Sequence, residues 1–243
     1  MATITKPTTH IVKLKERHEV AYRTLCFTLE RPNDFKFTAG QFAEIGIVDN
    51  AELQNEMLAF SMASAPDEAD LMFATRLRGG NFKHTLETMP IGATIKLEGP
   101  FGKFTLDEST RPAVFIVGGI GITPVRSILV HASKQHVQRD LVLLYSNRRP
   151  EDAAFLQELA SLQKDNPRFR LVAIMTGVDN ASHSWGGETG HLNFNTIANH
   201  TRHYSQPLFY IAGSPRFVKA FRELLLTNGI PKQDLHSEDF AGY

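Results

Sequence analysis

The sequence predicts two domains, an N-terminal antiparallel β-barrel followed by an α/β domain with a parallel sheet. In residues 1–106, apolar residues alternate in short runs separated by glycines, which is typical of turn-bounded antiparallel strands. In residues 107–243, strand-like apolar runs alternate with stretches of helical periodicity, which is typical of a parallel sheet with crossover helices. We therefore expect domains at residues 1–106 and 107–243.

In the first half, alternation places apolar side chains on one face of each of three predicted strands. These faces consist of Leu25, Phe27 and Leu29; of Leu71, Phe73, Thr75 and Leu77; and of Ala93, Ile95 and Leu97. One short helix is expected over residues 82–89, with Asn81 as its N-cap. Short strands bounded by glycine turns indicate a closed antiparallel barrel.

The second half is organised around residues 114–126. An apolar run at 114–117 predicts a buried strand, and glycines at 118, 119 and 121 allow a sharp turn. A helix should follow, with Thr123 as N-cap and Pro124 at its first position. A strand, a glycine-rich turn and a helix form an anion site, because the free N–H groups at the helix start face the ligand. The same pattern also occurs in plain connecting turns, and Pro124 replaces the third glycine of a dinucleotide motif.

The remaining predicted elements of the second half alternate along the chain. Strands are expected at 113–117, 141–145, 170–175, 208–212 and 235–238, and helices at about 124–134, 151–164 and 216–228. The carboxyl ends of parallel strands meet at one edge of the sheet, where ligands bind. Segments rich in glycine or polar residues fall at that edge, at 118–121, 146–149, 213–215 and 238–243. We expect them to form one ligand-binding rim.

Composition excludes several classes of function. Lys plus Arg and Asp plus Glu number 26 each, so no general nucleic-acid or membrane-surface binding is expected. Cys26 is the only cysteine, which excludes an internal disulfide and an iron–sulfur cluster held by several cysteines of this chain. The histidines form no metal-binding pattern, so no metal site is expected. No apolar run could span a bilayer and no signal peptide is recognisable, so we expect a cytoplasmic location.

Motifs spread over nearly the whole chain resemble those of the ferredoxin–NADP reductase superfamily of flavoproteins. They are Ala-Gly-Gln-Phe at 39–42, Leu-Ala-Phe-Ser-Met-Ala-Ser-Ala-Pro at 58–66, Gly-Pro-Phe-Gly at 99–102, the glycine-rich turn at 118–121, Ala-Gly-Ser-Pro at 212–215 and the ending at 238–243. Each motif alone is weak, whereas their order and spacing together are specific. The resemblance implies a barrel that holds a flavin and an α/β domain that holds a nicotinamide nucleotide.

The resemblance also implies which barrel residues hold the flavin. An Arg-x-Tyr/Phe-Ser motif does so in the family, and Phe60 and Ser61 match its last two positions. Leu58 replaces the arginine that usually neutralises the flavin phosphate, so we expect Arg76, Arg78 or Lys83 to supply that charge. Without the resemblance, Phe60 is barrel core and Ser61 an ordinary hydroxyl. The other expected flavin contacts are Met62, Ala63, Gly80, Asn81, Phe82 and Thr85.

For the nicotinamide nucleotide, the resemblance implies a site along the predicted rim. The residues expected to form it are Gly119, Gly121, Thr123, Pro124, Ser146, Arg148, Arg149, Gly213 and Pro215. The glycine-rich turn would receive the pyrophosphate, and Ser146, Arg148 and Arg149 would meet the adenosine end. A hydroxyl with two arginines suits a 2′-phosphate and so favours NADPH, but relatives with arginine at this turn also use NADH, and both stay open.

Ser61, Glu238 and Tyr243 are the expected catalytic residues. By resemblance, Ser61 would bond near the flavin N5 atom that accepts hydride, Glu238 would handle protons or place the nicotinamide, and Tyr243 would stack on the isoalloxazine. We therefore expect an NAD(P)H-dependent oxidoreductase that binds FAD rather than FMN and passes electrons to a protein such as ferredoxin or flavodoxin. Two alternatives stay open. One is a flavin oxidoreductase that uses flavin as a substrate, favoured by Leu58 and by Ala212 in place of a family cysteine; the other is an electron-transfer subunit of a larger complex.

Overall fold

The first half forms one antiparallel sheet of six strands in the computed structural model, which describes residues 6–240. Its elements are β1 (Thr8–Ala21), β2 (Thr24–Leu29), β3 (Phe42–Ile47), β4 (Met57–Ser61), β5 (Leu71–Arg76), helix α1 (Asn81–Thr88) and β6 (Thr94–Phe101). The strand order is β4-β3-β6-β1-β2-β5. Just beyond β4, the Ala63 N–H donates to the Met72 carbonyl oxygen of β5 at 2.7 Å, so the two outer strands meet and the sheet curls into the expected barrel.

The predicted inward faces form the barrel core. Phe27 and Phe73 are fully buried and stack with their ring centroids 5.4 Å apart. Helix α1 covers the same core with Phe82 and Leu86. The predicted Asn81 cap is wrong, because Gly80 occupies the N-cap position and the Asn81 amide donates to Glu52 at 3.0 Å instead.

The second half is a parallel sheet of six strands with helices on both faces. Its elements are β7 (Ala113–Gly118), α2 (Ile122–Lys134), β8 (Leu141–Asn147), α3 (Leu156–Asp165), β9 (Phe169–Met175), β10 (Glu188–Thr189), α4 (Phe194–Thr201), β11 (Leu208–Gly213), α5 (Pro215–Thr227) and β12 (Leu235–Asp239). The strand order is β10-β9-β8-β7-β11-β12, so the winding direction reverses beside β7. Helices α2 and α3 cover one face, and α4 and α5 cover the other. The predicted fold class is confirmed, and the reversal places a ligand crevice at the end of β7.

The start of α2 differs from the prediction. A 3-10 turn over Gly119–Gly121 runs directly into the helix, so Gly121 is the N-cap and Thr123 lies inside the first turn. The Thr123 hydroxyl donates to the Ile120 carbonyl oxygen at 3.1 Å. Gly119 has a φ of +54°, and this early reversal moves the helix start before Thr123.

Two other elements of the second half also differ from the sequence prediction. The helix expected over 151–164 begins at Leu156, because Pro150–Asp152 forms a separate 3-10 turn and Phe155 takes a left-handed φ of +59°. Helix α4 and the short strand β10 were not predicted. An N-cap signal was present for α4, since the Asn193 side chain accepts from the Thr196 N–H at 3.0 Å.

A buried charged cluster joins the two domains. Arg126 of α2 is 3% exposed, donates to the Ala63 carbonyl oxygen at 2.6 Å and pairs with Glu68 at 2.9 Å and with Glu158. Burial opposes ionisation of Glu68, but the hydrogen bond and charge of Arg126 hold its pKa below the usual value. The Ser127 hydroxyl adds a 2.6 Å bond to the Ser64 carbonyl oxygen. These contacts fix the barrel against α2, and so fix the cleft between the domains.

Candidate functional site

A cavity of about 640 Å³ lies at the junction of the two domains and is here called the barrel cavity. Strands β4, β5 and β12 contribute to its wall, together with the turn that precedes α2. Six predicted site residues line it: Phe60, Ser61, Arg76, Lys83, Thr123 and Glu238. The structure therefore brings together residues from both halves of the chain.

Ser61 and Glu238 lie in contact although 177 positions separate them. Ser61 ends β4 and is 3% exposed, while Glu238 lies on β12 beside Ala212 of β11. The Ser61 hydroxyl donates to Oε1 of Glu238 at 3.3 Å. Burial raises the pKa of Glu238 to about 7, an effect that the Ser61 bond opposes and the charge of Asp239 reinforces. The pair is a carboxyl and hydroxyl that can hold or release a proton near neutral pH.

Aromatic side chains form the apolar part of the barrel cavity. Phe60 packs edge-on against Phe27, with ring centroids 5.6 Å apart, and Phe82 lies behind it at 6.3 Å. Phe42 and Phe240 also line the cavity; both lie in motifs that carry the resemblance, but neither was predicted as a site residue. Such a wall suits a flat, largely apolar ring system.

Other predicted flavin contacts lie outside the cavity wall. Met62 is fully buried in the barrel core, and the Ala63 carbonyl is engaged by Arg126. Within and just before α1, Gly80 and Asn81 are exposed, Phe82 is buried and Thr85 is half-buried. From this helix only Lys83 is a lining residue, and burial together with the nearby charge of Arg78 lowers its pKa.

Leu58, at the position of the family arginine, contributes an apolar side chain to the same wall. Arg76 is the charged residue of the adjacent strand, but it also bridges the domains. It donates to the Tyr22 carbonyl oxygen at 2.9 Å and to the Asp152 carbonyl oxygen at 2.6 Å. Its guanidinium therefore both holds the two domains together and lines the barrel cavity.

A second cavity, here called the rim cavity, has a volume of about 420 Å³ and shares Arg76 with the first. Of its predicted lining residues, Gly119 belongs to the glycine-rich turn, and Ser146 lies at the end of β8. Five arginines line it, three from the barrel and two from the α/β domain: Arg23, Arg76, Arg78, Arg148 and Arg149. A concave surface with this charge attracts an anion such as a nucleotide phosphate.

The two adjacent arginines of the rim cavity differ in their partners. Arg149 pairs with Asp152 at 2.9 Å and Glu151 at 3.4 Å, and its guanidinium lies 5.2 Å from the centroid of the Tyr22 ring. The Arg148 side chain is exposed and has no hydrogen bond or ion pair with any residue in 6–240. Arg148 is therefore available to a phosphate, whereas the charge of Arg149 is already neutralised.

Four other predicted nucleotide residues serve the architecture behind the rim. A Cβ added to Gly121 would lie 2.4 Å from the Ala212 carbonyl oxygen, so this glycine permits the close approach of α2 to β11. Pro124 is buried within α2. Gly213 ends β11 and Pro215 begins α5, next to the lining residue Phe217.

Tyr243 lies outside the described residues. The last described aromatic residue, Phe240, lines the barrel cavity, and its N–H donates to the Gly213 carbonyl oxygen at 3.1 Å. Within residues 6–240, no group of three or more His, Cys, Asp or Glu side chains could hold a metal ion. None of the helices in that span is long and apolar enough to cross a membrane.

Comparison with known protein families assigns each half of the chain. Residues 11–106 match the oxidoreductase FAD-binding domain, and residues 115–223 match the oxidoreductase NAD-binding domain. The fold and the two cavities thus define an oxidoreductase class with binding domains for FAD and a nicotinamide nucleotide. The chain belongs to the ferredoxin–NADP reductase superfamily, as its motifs indicated.

Individual relatives share the fold at moderate identity. The reductase component 1 of terephthalate 1,2-dioxygenase from Comamonas sp is 29% identical over 209 residues, which are 85% of this chain and 60% of that protein. Ferredoxin–NADP reductase B of Sorangium cellulosum is 29% identical over 229 residues, 90% of this chain and 91% of that protein. The crystal structure of Amycolatopsis cytochrome P450 reductase has a TM-score of 0.82 at 20% identity, covering 96% of this chain and 70% of that one. The chain thus spans 60% of the length of the dioxygenase reductase components that it matches.

Proposed function

We propose that this chain is an NAD(P)H-dependent flavoprotein reductase, with FAD in the barrel cavity and the nicotinamide nucleotide in the rim cavity. The observation that carries this proposal is the adjacency of the two cavities. They share Arg76, and the Ser61–Glu238 pair lies in the wall of the larger one. One cavity offers an apolar slot with a titratable carboxyl, and the other offers unpaired cationic charge. This is the combination that a flavin and a dinucleotide require.

The residues of the barrel cavity fit a flavin. Its volume of about 640 Å³ and its aromatic wall suit a fused ring, and Arg76 and Lys83 can face a phosphate. FAD, when bound, accepts a hydride from NAD(P)H and releases electrons one at a time. Ser61 is proposed to orient the ring through its hydroxyl, and Glu238, with a pKa of about 7, to hold or pass a proton beside it. The aromatic residues exclude water from the reacting face.

The rim cavity is proposed to position the nucleotide by charge. Arg148 and Arg78 have exposed guanidinium groups, and the Gly119 turn offers backbone N–H groups at the start of α2. Ser146 lies at the same edge, where the adenosine end is expected. Both NADH and NADPH remain proposed substrates, since Arg148 can meet a 2′-phosphate while Arg149 is already paired with carboxylates.

The proposed electron acceptor is a small redox protein of the ferredoxin or flavodoxin kind. The names of the relatives support this, since they include reductase components of oxygenases and a ferredoxin–NADP reductase. Action as one subunit of a larger complex agrees with the same names. The expected cytoplasmic location stays a prediction.

Leu58 supports a second candidate function, in which flavin is a loosely bound substrate. This apolar residue lines the barrel cavity where a phosphate-binding cation is expected. A missing charge-assisted hydrogen bond weakens binding by about 1.5 to 3 kcal/mol, roughly ten- to a hundredfold. Protein that is isolated without flavin yet reduces added flavin would favour this candidate.

Anaerobic mixing of the flavin-loaded protein with NADH or NADPH, followed by flavin absorbance, tests the proposed activity. We expect rapid bleaching with at least one nucleotide and a slower rate in Ser61→Ala, which leaves the barrel core intact. Ser133→Ala, at the far end of α2, is the control and should reduce at the wild-type rate. A wild-type protein that holds flavin but is not bleached by either nucleotide would contradict the proposal.

A further inference from the structure

A buried carboxamide in the wall of the rim cavity has no hydrogen-bond partner within the described chain. Asn147 is the last residue of β8 and lines this cavity together with Gly119 and Thr176. It is only 6% exposed, and neither its Nδ2 nor its Oδ1 bonds to any residue in 6–240. Its main chain, in contrast, is held, because its carbonyl oxygen accepts from the Thr176 N–H at 3.0 Å.

Two polar side chains that line the cavity together with Asn147 are already engaged. Asp152 pairs with Arg149, and the Thr176 hydroxyl donates to the Asn147 carbonyl oxygen at 3.4 Å. A buried amide without a partner costs free energy, so native structures contain few of them, and those that occur need an explanation. An apolar side chain of the same shape would avoid this cost. An unpartnered amide at this buried position therefore points to a partner that arrives from outside the chain.

We infer that Asn147 binds the nicotinamide nucleotide and that its carboxamide is satisfied only in the bound state, an inference that rests on the proposed function. A carboxamide presents a donor and an acceptor side by side, which complements neutral groups such as the hydroxyls of a ribose. The arginines of the same cavity complement the phosphates. Both amide atoms are buried in the structure. To bond to the nucleotide, the carboxamide therefore has to rotate toward the cavity as the nucleotide enters. Asn147 thereby adds recognition of the sugar to a site otherwise dominated by charge.

Asn147→Leu, which replaces the amide by an apolar group of similar shape, separates this role from a structural one. We would measure the Tm and, by isothermal titration calorimetry, the Kd for NAD⁺ and NADP⁺ on flavin-loaded protein. The expected result is a Kd raised about tenfold for the nucleotide that binds better, with a Tm that is unchanged or raised.

Asn166→Leu is the matched control, because both of its amide atoms have partners. Its Nδ2 donates to Ser133 Oγ at 2.7 Å, and its Oδ1 accepts from the Arg168 N–H at 3.0 Å. This change should lower the Tm and leave the nucleotide Kd unchanged, the reverse of the pattern expected for Asn147→Leu.

An unchanged Kd in Asn147→Leu would overturn the inference, as would a Tm lowered as far as in Asn166→Leu. Asn147→Ala repeats the test with a smaller side chain, and failure of both variants to fold would show a structural role and overturn it as well. If the wild-type protein itself bound neither NAD⁺ nor NADP⁺, the proposed function would fail along with the inference. Wild-type binding that the variants retain would overturn the Asn147 role alone.

Discussion

The barrel cavity and the rim cavity adjoin at Arg76 but differ in how they can hold a ligand. In the barrel cavity, Arg76 and Lys83 are balanced by Glu238 and Asp239, and much of the wall is aromatic or aliphatic. The rim cavity has five arginines and a single acidic lining residue, Asp152. Apolar contact depends on area and little on salt, whereas attraction between exposed charges is screened by salt. The difference supports the proposal that the first cavity retains a cofactor and the second binds an exchanging substrate.

Arg76→Ala should have the largest effect, because this residue is common to both cavities. It removes one charge-assisted hydrogen bond between the domains, to the Asp152 carbonyl oxygen, and another within the barrel, to the Tyr22 carbonyl oxygen. We expect nucleotide affinity to fall about a hundredfold and flavin to be lost during gel filtration. Arg78→Ala is the control, since it lines the rim cavity but not the barrel cavity. Equal flavin retention in both variants would show that the cavities are not coupled through Arg76.

Glu238→Gln tests the titratable group of the barrel cavity. The wild-type carboxyl has a pKa of about 7 in the folded protein against an ordinary 4.5, so its favourable contribution is present below pH 4.5 and is lost as pH rises through 7. The glutamine variant should therefore become more stable than wild type by about 3 kcal/mol at pH 8 and show no such gain at pH 4. Denaturant unfolding at several pH values measures this difference. A difference that does not vary with pH would contradict the burial of an ionisable Glu238.

Arg148→Ala sharpens the comparison within the rim cavity. Removal of one unpaired guanidinium should raise the Kd for the nucleotide about tenfold and leave the flavin content unchanged. If the Kd rises much more for NADP⁺ than for NAD⁺, Arg148 contacts the 2′-phosphate. An unchanged Kd for both nucleotides would remove Arg148 from the site.

The smallest expected effect is that of salt, which should weaken nucleotide binding in the rim cavity more than flavin binding in the barrel cavity. Raising the ionic strength from 0.05 to 0.5 M shortens the screening length to a few ångströms, so nucleotide affinity should fall by roughly three- to tenfold. The flavin off-rate, followed by fluorescence, should change little over the same range. Equal salt dependence for both ligands would break the contrast between the cavities.

Much of this site could be predicted from the sequence because the order of its motifs identifies the fold, and the fold then brings distant residues together. Ser61 and Glu238 are the best example: the motifs predicted both residues for one site although they lie on different domains, and the structure adds that they are in contact. Two predictions were wrong for a local reason: Thr123 as a helix cap, and a helix that begins at residue 151. The first depends on the backbone torsions of Gly119, and the second on those of Phe155.

The sequence did not predict which hydrogen-bond and ion-pair partners individual side chains have. Arg148 and Arg149 are adjacent and chemically identical, yet only one is neutralised by carboxylates. That difference depends on the turn at Pro150–Asp152, and an Arg-x-x-Asp spacing was its only signal in the sequence. Asn147 gave no signal at all, because an unpartnered amide can be recognised only when its surroundings are known.

The visible absorption spectrum of the protein as isolated, recorded again after anaerobic addition of NADH or NADPH, tests most directly whether the two cavities hold a cofactor and its reductant. We predict a yellow protein that contains FAD in a one-to-one ratio and is bleached by one or both nucleotides. A protein that contains no flavin, binds none when FAD is added and reduces none in solution would contradict the account.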